Sequence, residues 1–381
     1  MSAENPVRRI RVGVLFGGKS GEHDVSLRSA QSVMNALDPA RYDVIPIGIG
    51  RDGSWVLGED PMGALTDGTN VTGQATAIVN DPGQRGLVTI PVSGSGGSID
   101  RASAVTSAAP IDVVFPVLHG PYGEDGTIQG LLEIADVPYV GSGVLGSAVG
   151  MDKAIQKSLL RAAGIPVIDW IIFTAQEWRR RQGGIIVDAE IKLGYPCFVK
   201  PANLGSSVGI SKAASEEELI AAIEVAISYD RRVVIEKSAL GFREIECSVL
   251  GNDSPAVSVP GEIVPDREWY DYDAKYSNSQ TQLIIPAQIP AEAAREVMRI
   301  AAASFEALDC AGMARVDFFV SQDGNEIFVN EVNTIPGFTN ISMFPKLWEA
   351  SGLSYASLID RLIELAIERH AERSKLRTTH K

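Results

Sequence analysis

The chain has 381 residues, of which 45% are hydrophobic and 22% charged, and a formal net charge of −14. That length suggests two or three domains, and the composition is that of an ordinary globular protein. The acidic balance argues against nucleic acid as a general partner. No apolar run approaches the ~18 residues of a membrane span, and the opening MSAENPVRRIRVGVLFGG has no signal-peptide core. Three scattered cysteines, Cys197, Cys247 and Cys310, suit a reducing cytosol and a cytoplasmic location.

In chain order, residues 10–16 (IRVGVLF) read as a buried strand that ends at Gly17-Gly18. A helix is expected at 23–37, then strands at 43–48 and 111–118, the last ending at His119-Gly120. This β-α-β rhythm predicts an open, largely parallel sheet, whose ligands gather at the carboxyl ends of its strands. Residues 58–107 are rich in Gly, Ser and Thr and read as an elaborated insertion of loops and a ribbon with weak strands.

The second part begins near Gly141. A helix is expected at 151–164, stopped by Gly164. Strands are expected at 196–201 and 207–213, flanking NLGS, and a helix at 215–228, which opens on the capping-box spacing of Ser215 and Glu218. VVIEK (233–237) reads as a strand, followed by strands near 244–250 and 255–260 and a polar loop from about 262 to 281. A helix near 291–308, a hairpin and a closing helix at 354–372 complete the chain.

The hairpin, GMARVDFFVSQDGNEIFVNEVNTIPGFT (312–339), carries the most chemistry. Arg315, Asp317, Glu331 and Asn333 stand in two apolar strands, and buried carboxylates are costly unless a cation neutralises them. Hard oxygen ligands suit Mg²⁺ carrying a polyphosphate. A two-residue Asp323-Gly324 loop would pair Asp317 with Asn330 and send Glu331 to the opposite face. A three-residue loop through Asn325 would pair Asp317 with Glu331 and Arg315 with Asn333, their Cβ atoms roughly 4.5–5.5 Å apart. The expectation is therefore an odd-length loop.

GVLFGGKS (13–20) literally matches the phosphate-loop pattern, but its first glycine lies inside a strand, so the match is rejected. Gly17-Gly18 instead turns strand into helix and presents Ser20, Glu22 and His23 at a helix N-terminus, suited to a carboxylate, with Glu22 able to hold an ammonium. FVKPANLGSSVGIS reads as a glycine-rich flap in which Gly205, Ser206, Ser207 and Lys200 can meet phosphate. Lys153 starts a helix. The loop WYDYDAKY (269–276) reads as a lid, with Lys275 for a transferring phosphate and Tyr276 to orient the acceptor. His119 stands at a strand's carboxyl end.

Together, GGKSGEHDVS, LHGPYGEDG, MDK, VKPANLGSSVG, YDYDAKY and ARVDFFV…FVNEVNTIPGFT closely resemble the D-alanine–D-alanine ligases of the ATP-grasp superfamily. The resemblance covers all but the 58–107 region and the last dozen residues. It implies an α/β fold with α+β lobes in a three-domain ATP-grasp architecture: an N-terminal open parallel-sheet substrate domain (1–141), a central lobe (142–236) and a C-terminal lobe with metal site and lid (237–381). It also implies a reaction in which one D-alanine carboxylate takes the γ-phosphate of ATP and the amine of a second D-alanine attacks the acyl phosphate, supplying a peptidoglycan precursor. By the same resemblance, Glu22 binds the first substrate's ammonium near His119, and Glu22, Ser206 and Tyr276 form a hydrogen-bonded set. Arg315 steadies the tetrahedral intermediate and Lys275 meets the γ-phosphate. Asp317, Glu331 and Asn333 hold two Mg²⁺ or Mn²⁺ ions, with K⁺ as a further ion. Lys153, Lys200, Ser206 and Ser207 take the nucleotide phosphates, Glu236 and Glu244 adenine and ribose, and Ser342 with Gly337 the second substrate. The resemblance further implies a homodimer with neither membrane nor nucleic-acid partners. D-alanine–D-lactate and D-alanine–D-serine ligases are the related alternatives, and a non-catalytic nucleotide-binding module is a more distant one.

Overall fold

The computed structural model describes residues 8–57, 60–67, 110–264 and 281–377, with the backbone of 74–81, 84–91 and 106–107. The chain divides into two compact units, Met1–Gly141 with Gly337–Pro345 and Leu353–Lys381, and Ser142–Pro336 with Lys346–Gly352.

The first unit is built on β1 (Ile10–Gly17), α1 (His23–Ala36), β2 (Tyr42–Ile49), β3 (Trp55–Val56), α2 (Pro61–Thr66), β4 (Gln74–Asp81), β5 (Gln84–Pro91), β6 (Thr106–Ser107), β7 (Val113–Val117) and α3 (Thr127–Ile134). Its main sheet has the order β3-β2-β1-β7, with β1 parallel to both β2 and β7. Parallel strands covered on both faces need nearly continuous apolar runs. Leu15, Ile47, Val114 and Leu118 accordingly pack with Ile128, Leu132 and Tyr139. The 58–107 region does hold the expected ribbon, but its strands β4 and β5 pair over eight residues each rather than weakly.

The turn after β1 depends on Gly17, at φ +93°, where a Cβ would lie 2.2 Å from the Ile49 carbonyl oxygen. Ser26 of α1 closes the turn by accepting from Gly17 N–H at 2.8 Å, and its hydroxyl donates to Val117 O.

The second unit contains α4 (Val144–Met151), α5 (Lys153–Ala162), β8 (Trp170–Thr174), α6 (Ala175–Lys192), β9 (Cys197–Pro201), β10 (Ser211–Ala213), α7 (Glu216–Ile227) and β11 (Arg232–Lys237). It continues through β12 (Arg243–Gly251), β13 (Ala256–Val257), β14 (Gly261–Val264), β15 (Gln282–Ile284), α8 (Ala291–Ala307), β16 (Gly312–Val320) and β17 (Ile327–Asn333). One antiparallel sheet has the order β10-β9-β11-β8, the other β15-β14-β12-β16-β17. The first packs Val199, Val233 and Ile235 against Trp178 and Ile186 of α6 and Leu219 and Ile223 of α7. The second packs Ile245, Val249, Val316 and Phe318 against Val297, Ile300 and Phe305 of α8, with Leu160 of α5 in the same core. The chain ends in α9 (Met343–Ala350) and α10 (Tyr355–Arg373).

Several boundaries differ from the sequence reading. The strand expected at 207–213 shortens to Ser211–Ala213, because Ser206 and Ser207 take left-handed conformations at φ +50° and +58°. The strand expected at 255–260 is only Ala256–Val257. Asp152 splits the 151–164 segment: it ends α4 and caps α5, accepting from Ala154 N and Ile155 N at 3.1 and 3.0 Å. At α7, Ser215 caps as expected, but the Glu218 carboxylate accepts from Ala214 N–H rather than from the cap residue. Residues 170–192, unassigned from sequence, form β8 and α6. The Gly183-Gly184 pair opposes a helix; a capping box at Thr174/Glu177 and buried Trp178, Ile185 and Ile186 hold it nonetheless, with non-helical angles at Arg181.

The closing segment Leu353–Lys381 groups with the N-terminal segment in the first compact unit. The physical reason lies in α10. Asp360 accepts from Tyr42 Oη at 2.7 Å and pairs with Arg41. Arg369 donates to Tyr139 O at 3.2 Å and to Gly141 O. Cys197, Cys247 and Cys310 are buried and unbonded to one another, and burial pushes the Cys197 thiol up to about 11. No helix among the described residues is long and apolar enough to cross a membrane.

The Gly17 geometry makes a simple prediction. Gly17→Ala should destabilise the protein by about 1–3 kcal/mol, the cost of a strained left-handed residue. An unchanged thermal midpoint would show that the β1–α1 turn relaxes freely.

Candidate functional site

In the first unit, the strand ends bring Glu22 and the turn that follows His119 together. Glu22 is the cap residue of α1 and is buried. Its N–H donates to Ser20 Oγ at 3.2 Å, while His23 Nδ1 lies 2.8 Å from Gly18 O. The His119-Gly120 turn after β7 approaches the Glu22 carboxylate closely. A Cβ on Gly120, at φ +74°, would stand 2.8 Å from Glu22 Oε2. Gly120 N–H donates to Glu124 Oε2 at 2.7 Å, which anchors the turn. Gly337 and Ser342 are also neighbours: a Cβ on Gly337 would be 3.1 Å from Ser342 Oγ, which accepts from Thr339 N–H at 3.1 Å. In the rejected phosphate-loop match, Gly13 pairs with Ile45 and Val114 in the middle of β1, so no loop begins there. Lys19 lies 5.9 Å from the Tyr122 ring centroid.

In the second unit, the hairpin register is Arg315 opposite Asn333 and Asp317 opposite Glu331. The partners are those expected, but the route is different. The loop is not of odd length: Ser321 N–H donates to Glu326 O at 2.9 Å, closing a four-residue turn, Gln322–Asn325. Val320 then pairs with Ile327 and Phe318 with Val329, the register that would have put Asn330 opposite Asp317. A β-bulge between Asp317 and Phe318 intervenes. Asn330 is the extra residue, and past it Glu331 regains the Asp317 face.

Arg315 and Asp317 form a two-pronged pair, with Nε to Oδ1 and Nη2 to Oδ2 both at 2.7 Å. Glu246 on β12 adds an oxygen 3.0 Å from Arg315 Nε, and Asn333 Nδ2 donates to Asp317 Oδ2 at 3.0 Å. Burial opposes the charged guanidinium, but Asp317 and Glu246 more than offset it and hold its pKa well above the ordinary value.

A second charged cluster lies on α5, β9 and β11. Glu236 is buried between two lysines, with Lys200 Nζ at 2.7 Å from Oε2 and Lys157 Nζ at 3.3 Å from Oε1. Burial alone would raise the Glu236 carboxyl, yet the two ammonium groups hold it below its usual range. Lys157 is fully buried, and desolvation lowers its pKa against the pull of Glu236. Lys153, one helical turn earlier, donates to Leu204 O in the flap at 2.6 Å and stands 4.0 Å from Glu331 Oε2. Glu244 pairs with Phe319 and Ile263 in the second sheet and helps raise Lys200. Ser206 and Ser207 form the left-handed corner of the flap. Lys275 and Tyr276 lie outside the described residues, so the expected Glu22–Ser206–Tyr276 set does too.

Three participants escaped the sequence reading: Lys157, Glu246 and Gln156, whose carboxamide bonds the backbone of Val332. Each had a signal. Lys157 follows Lys153 by four residues, hence shares its helix face. Glu246 follows Glu244 by two in an apolar strand, hence shares its sheet face. Gln156 gave only a weak signal, a polar residue after the apolar pair Ala154-Ile155.

Asp317, Glu331 and Asn333 offer oxygen donors only, two carboxylates and an amide from facing strands. That donor set fits a hard divalent cation such as Mg²⁺ or Mn²⁺.

The sequence matches the family model described as D-ala D-ala ligase N-terminus over residues 11–142 and that described as D-ala D-ala ligase C-terminus over residues 159–364. It is 50% identical to a D-alanine–D-alanine ligase of Geobacillus thermodenitrificans over 97% of this chain and 99% of that protein. It is 48% identical to one of Heliobacterium modesticaldum, over 96% of each. Among solved structures, the D-alanine–D-alanine ligase of Coxiella burnetii superposes with a TM-score of 0.80 at 37% identity, covering 97% of each chain. VanG D-Ala:D-Ser ligase of Enterococcus faecalis gives the same TM-score and identity, over 94% of this chain and 100% of that one.

Two variants test the charged clusters. Glu236→Gln deprives two buried ammonium groups of the carboxylate they share and should cost about 3–5 kcal/mol in urea unfolding at pH 7. Adding Lys157→Met should return part of that loss. Because the folded-state carboxyl is depressed, its contribution is complete above the ordinary ~4.3 and disappears as pH falls through the lowered value. The Glu236→Gln variant should lack that acid limb. Lys19→Ala should leave ATP affinity unchanged by calorimetry, and a lost ATP signal would restore the phosphate-loop reading.

Proposed function

Since the chain belongs to the D-alanine–D-alanine ligase family, we propose that it joins two D-alanines with ATP, in the ATP-grasp architecture of its solved relatives. The first D-alanine's carboxylate oxygen attacks the γ-phosphorus of ATP, and ADP leaves. The second D-alanine's amine then attacks the carbonyl of the acyl phosphate, loses a proton and expels phosphate. The product is the dipeptide used for peptidoglycan precursors.

In this reading, Glu22 receives the first substrate's ammonium beside His119, and Gly337 with Ser342 receives the second substrate's carboxylate. Arg315 steadies the anionic tetrahedral intermediate. Its clamp by Asp317 and Glu246 fixes the guanidinium before reaction, so little reorganisation is required when the charge develops. Lys153, Lys200 and the Ser206-Ser207 corner take the nucleotide phosphates, Lys275 the γ-phosphate, and Glu236 and Glu244 the adenosine side. Tyr276 orients the acceptor with Ser206 and Glu22. Asp317, Glu331 and Asn333 would hold two Mg²⁺ or Mn²⁺ ions, which neutralise polyphosphate charge when bound. No side chain serves as a covalent nucleophile, consistent with phosphoryl transfer that rests on positioning and electrostatics. We further propose three domains (1–141, 142–236, 237–381), a cytoplasmic homodimer, a supporting K⁺ ion, and neither membrane nor nucleic-acid partners.

The observation that carries the reading is the pairing of Asp317 with Glu331 beside Arg315 and Asn333. The fold leaves the acceptor undecided, since a D-Ala:D-Ser ligase superposes equally well. The relatives at 48–50% identity, named D-alanine–D-alanine ligases, favour D-alanine.

Phosphate release should therefore occur with D-alanine alone, and adding D-lactate or D-serine should give no product beyond D-alanyl-D-alanine. Product made only with one of the other acceptors would transfer the chain to that activity. Glu331→Gln should lower kcat on the order of 100-fold, the scale for losing one electrostatic stabiliser, with the thermal midpoint nearly unchanged. Near-normal turnover would remove Glu331 from the metal site.

A further inference from the structure

β17 is the edge strand of its sheet, so one row of its N–H and C=O groups has no neighbouring strand. Such a row must find partners or invite another chain. Here α5 and the segment after it supply them. Gln156 treats Val332 as a strand would: its Nε2 donates to Val332 O at 3.0 Å and its Oε1 accepts from Val332 N–H at 3.0 Å. The same Nε2 also donates to Gly150 O at 2.7 Å, which fixes the carboxamide. Lys157 Nζ donates to Asn330 O at 3.2 Å. Beyond it, Val329 N–H donates to Pro166 O at 2.9 Å.

The two α5 contacts fall on the residues immediately before and after Glu331. One of them, Asn330, is the bulge residue that turns Glu331 toward Asp317. Lys157 also pairs with Glu236, which Lys200 shares. One helical turn away, Lys153 faces Glu331 itself. One turn of α5 therefore reads both the lysine–glutamate cluster and the two peptides flanking Glu331.

We propose that Gln156 and Lys157 are positioning residues that hold the Glu331 carboxylate, through the backbone on either side of it, in the orientation that takes a divalent cation. The inference rests on Glu331 being a ligand of that cation. Its chemistry is that of an outer layer: neither side chain touches the ion, and both fix the ligand that does. The competing explanation is that α5 merely satisfies an edge strand. Stability alone cannot separate the two, because both predict some loss on truncation.

The separating experiment uses the full-length protein with saturating ADP and Mn²⁺ as the probe, binding being read from water-proton relaxation. Gln156→Met keeps side-chain length, removes both hydrogen bonds to Val332, and leaves the Lys157–Glu236–Lys200 cluster intact. It should weaken Mn²⁺ binding about 10-fold, the scale seen when an outer-layer partner of a ligand is lost. Lys157→Met should do the same, and the half-saturating Mg²⁺ for turnover should rise in parallel while the KM for D-alanine at saturating Mg²⁺ stays put. In a Glu331→Gln background neither substitution should weaken Mn²⁺ further, since the carboxylate they position is gone. If Lys157→Met fails to fold, Gln156→Met alone carries the test. If Glu331→Gln weakens Mn²⁺ binding but the α5 variants do not, or if their losses simply multiply with it, the positioning role is overturned and the metal-site reading stands. If Glu331→Gln itself binds Mn²⁺ like the unaltered protein, both readings fall.

Discussion

One extra residue in β17 governs the chemistry of the second unit. The four-residue turn at Gln322–Asn325 sets a register in which Asp317 would oppose Asn330. Left uncorrected, that register would put Glu331 and Asp317 on opposite faces of the sheet, because side chains alternate strictly. The bulge at Asn330 inserts one residue and returns Glu331 to the Asp317 face. The apolar face accommodates the insertion, since Val329 and Val332 are both buried although three positions apart. The core pattern and the carboxylate pairing thus demand the same irregularity.

The charges that this register gathers are stable only as a connected set. A lone buried ammonium or carboxylate costs several kcal/mol. Glu236 meets two lysines, and Arg315 meets Asp317 and Glu246. Glu236 on β11 is offset from α5 and β9, and Arg315 from its own strand and from β12, so these pairs tie α5, β9 and β11 together and β12 to β16. The charges are thus held in fixed positions by their partners, which is the condition for electrostatic stabilisation without reorganisation.

The first unit solves a different problem, that of bringing backbone close to other groups at its strand ends. Gly17 and Gly120 both occupy left-handed conformations beside groups that a Cβ would strike, Ile49 O and Glu22 Oε2 respectively. These turns sit at the carboxyl ends of β1 and β7, where open parallel sheets collect their ligands. Ser26 bridges the same two strand ends through Gly17 N–H and Val117 O. The C-terminal helix α10 packs within this unit through Asp360 and Arg369, a placement that no local pattern announces.

The amino-acid sequence by itself determined the parallel β-α-β start, the rejection of the phosphate-loop match, most helices and the identity of the four hairpin residues. It did so because apolar period, glycine turns and capping residues are local. It also contained the bulge in latent form: alternation in FVNEVN breaks where two polar residues separate Val329 from Val332. Only the tertiary structure decided how that break is resolved, since the turn length and the core face had to be satisfied together. Likewise α6, weakened by Gly183-Gly184, forms because Trp178 and Ile186 find a core. Lys157, Glu246 and Gln156 gained their roles from partners 79, 69 and 176 positions away, a separation that sequence spacing cannot see.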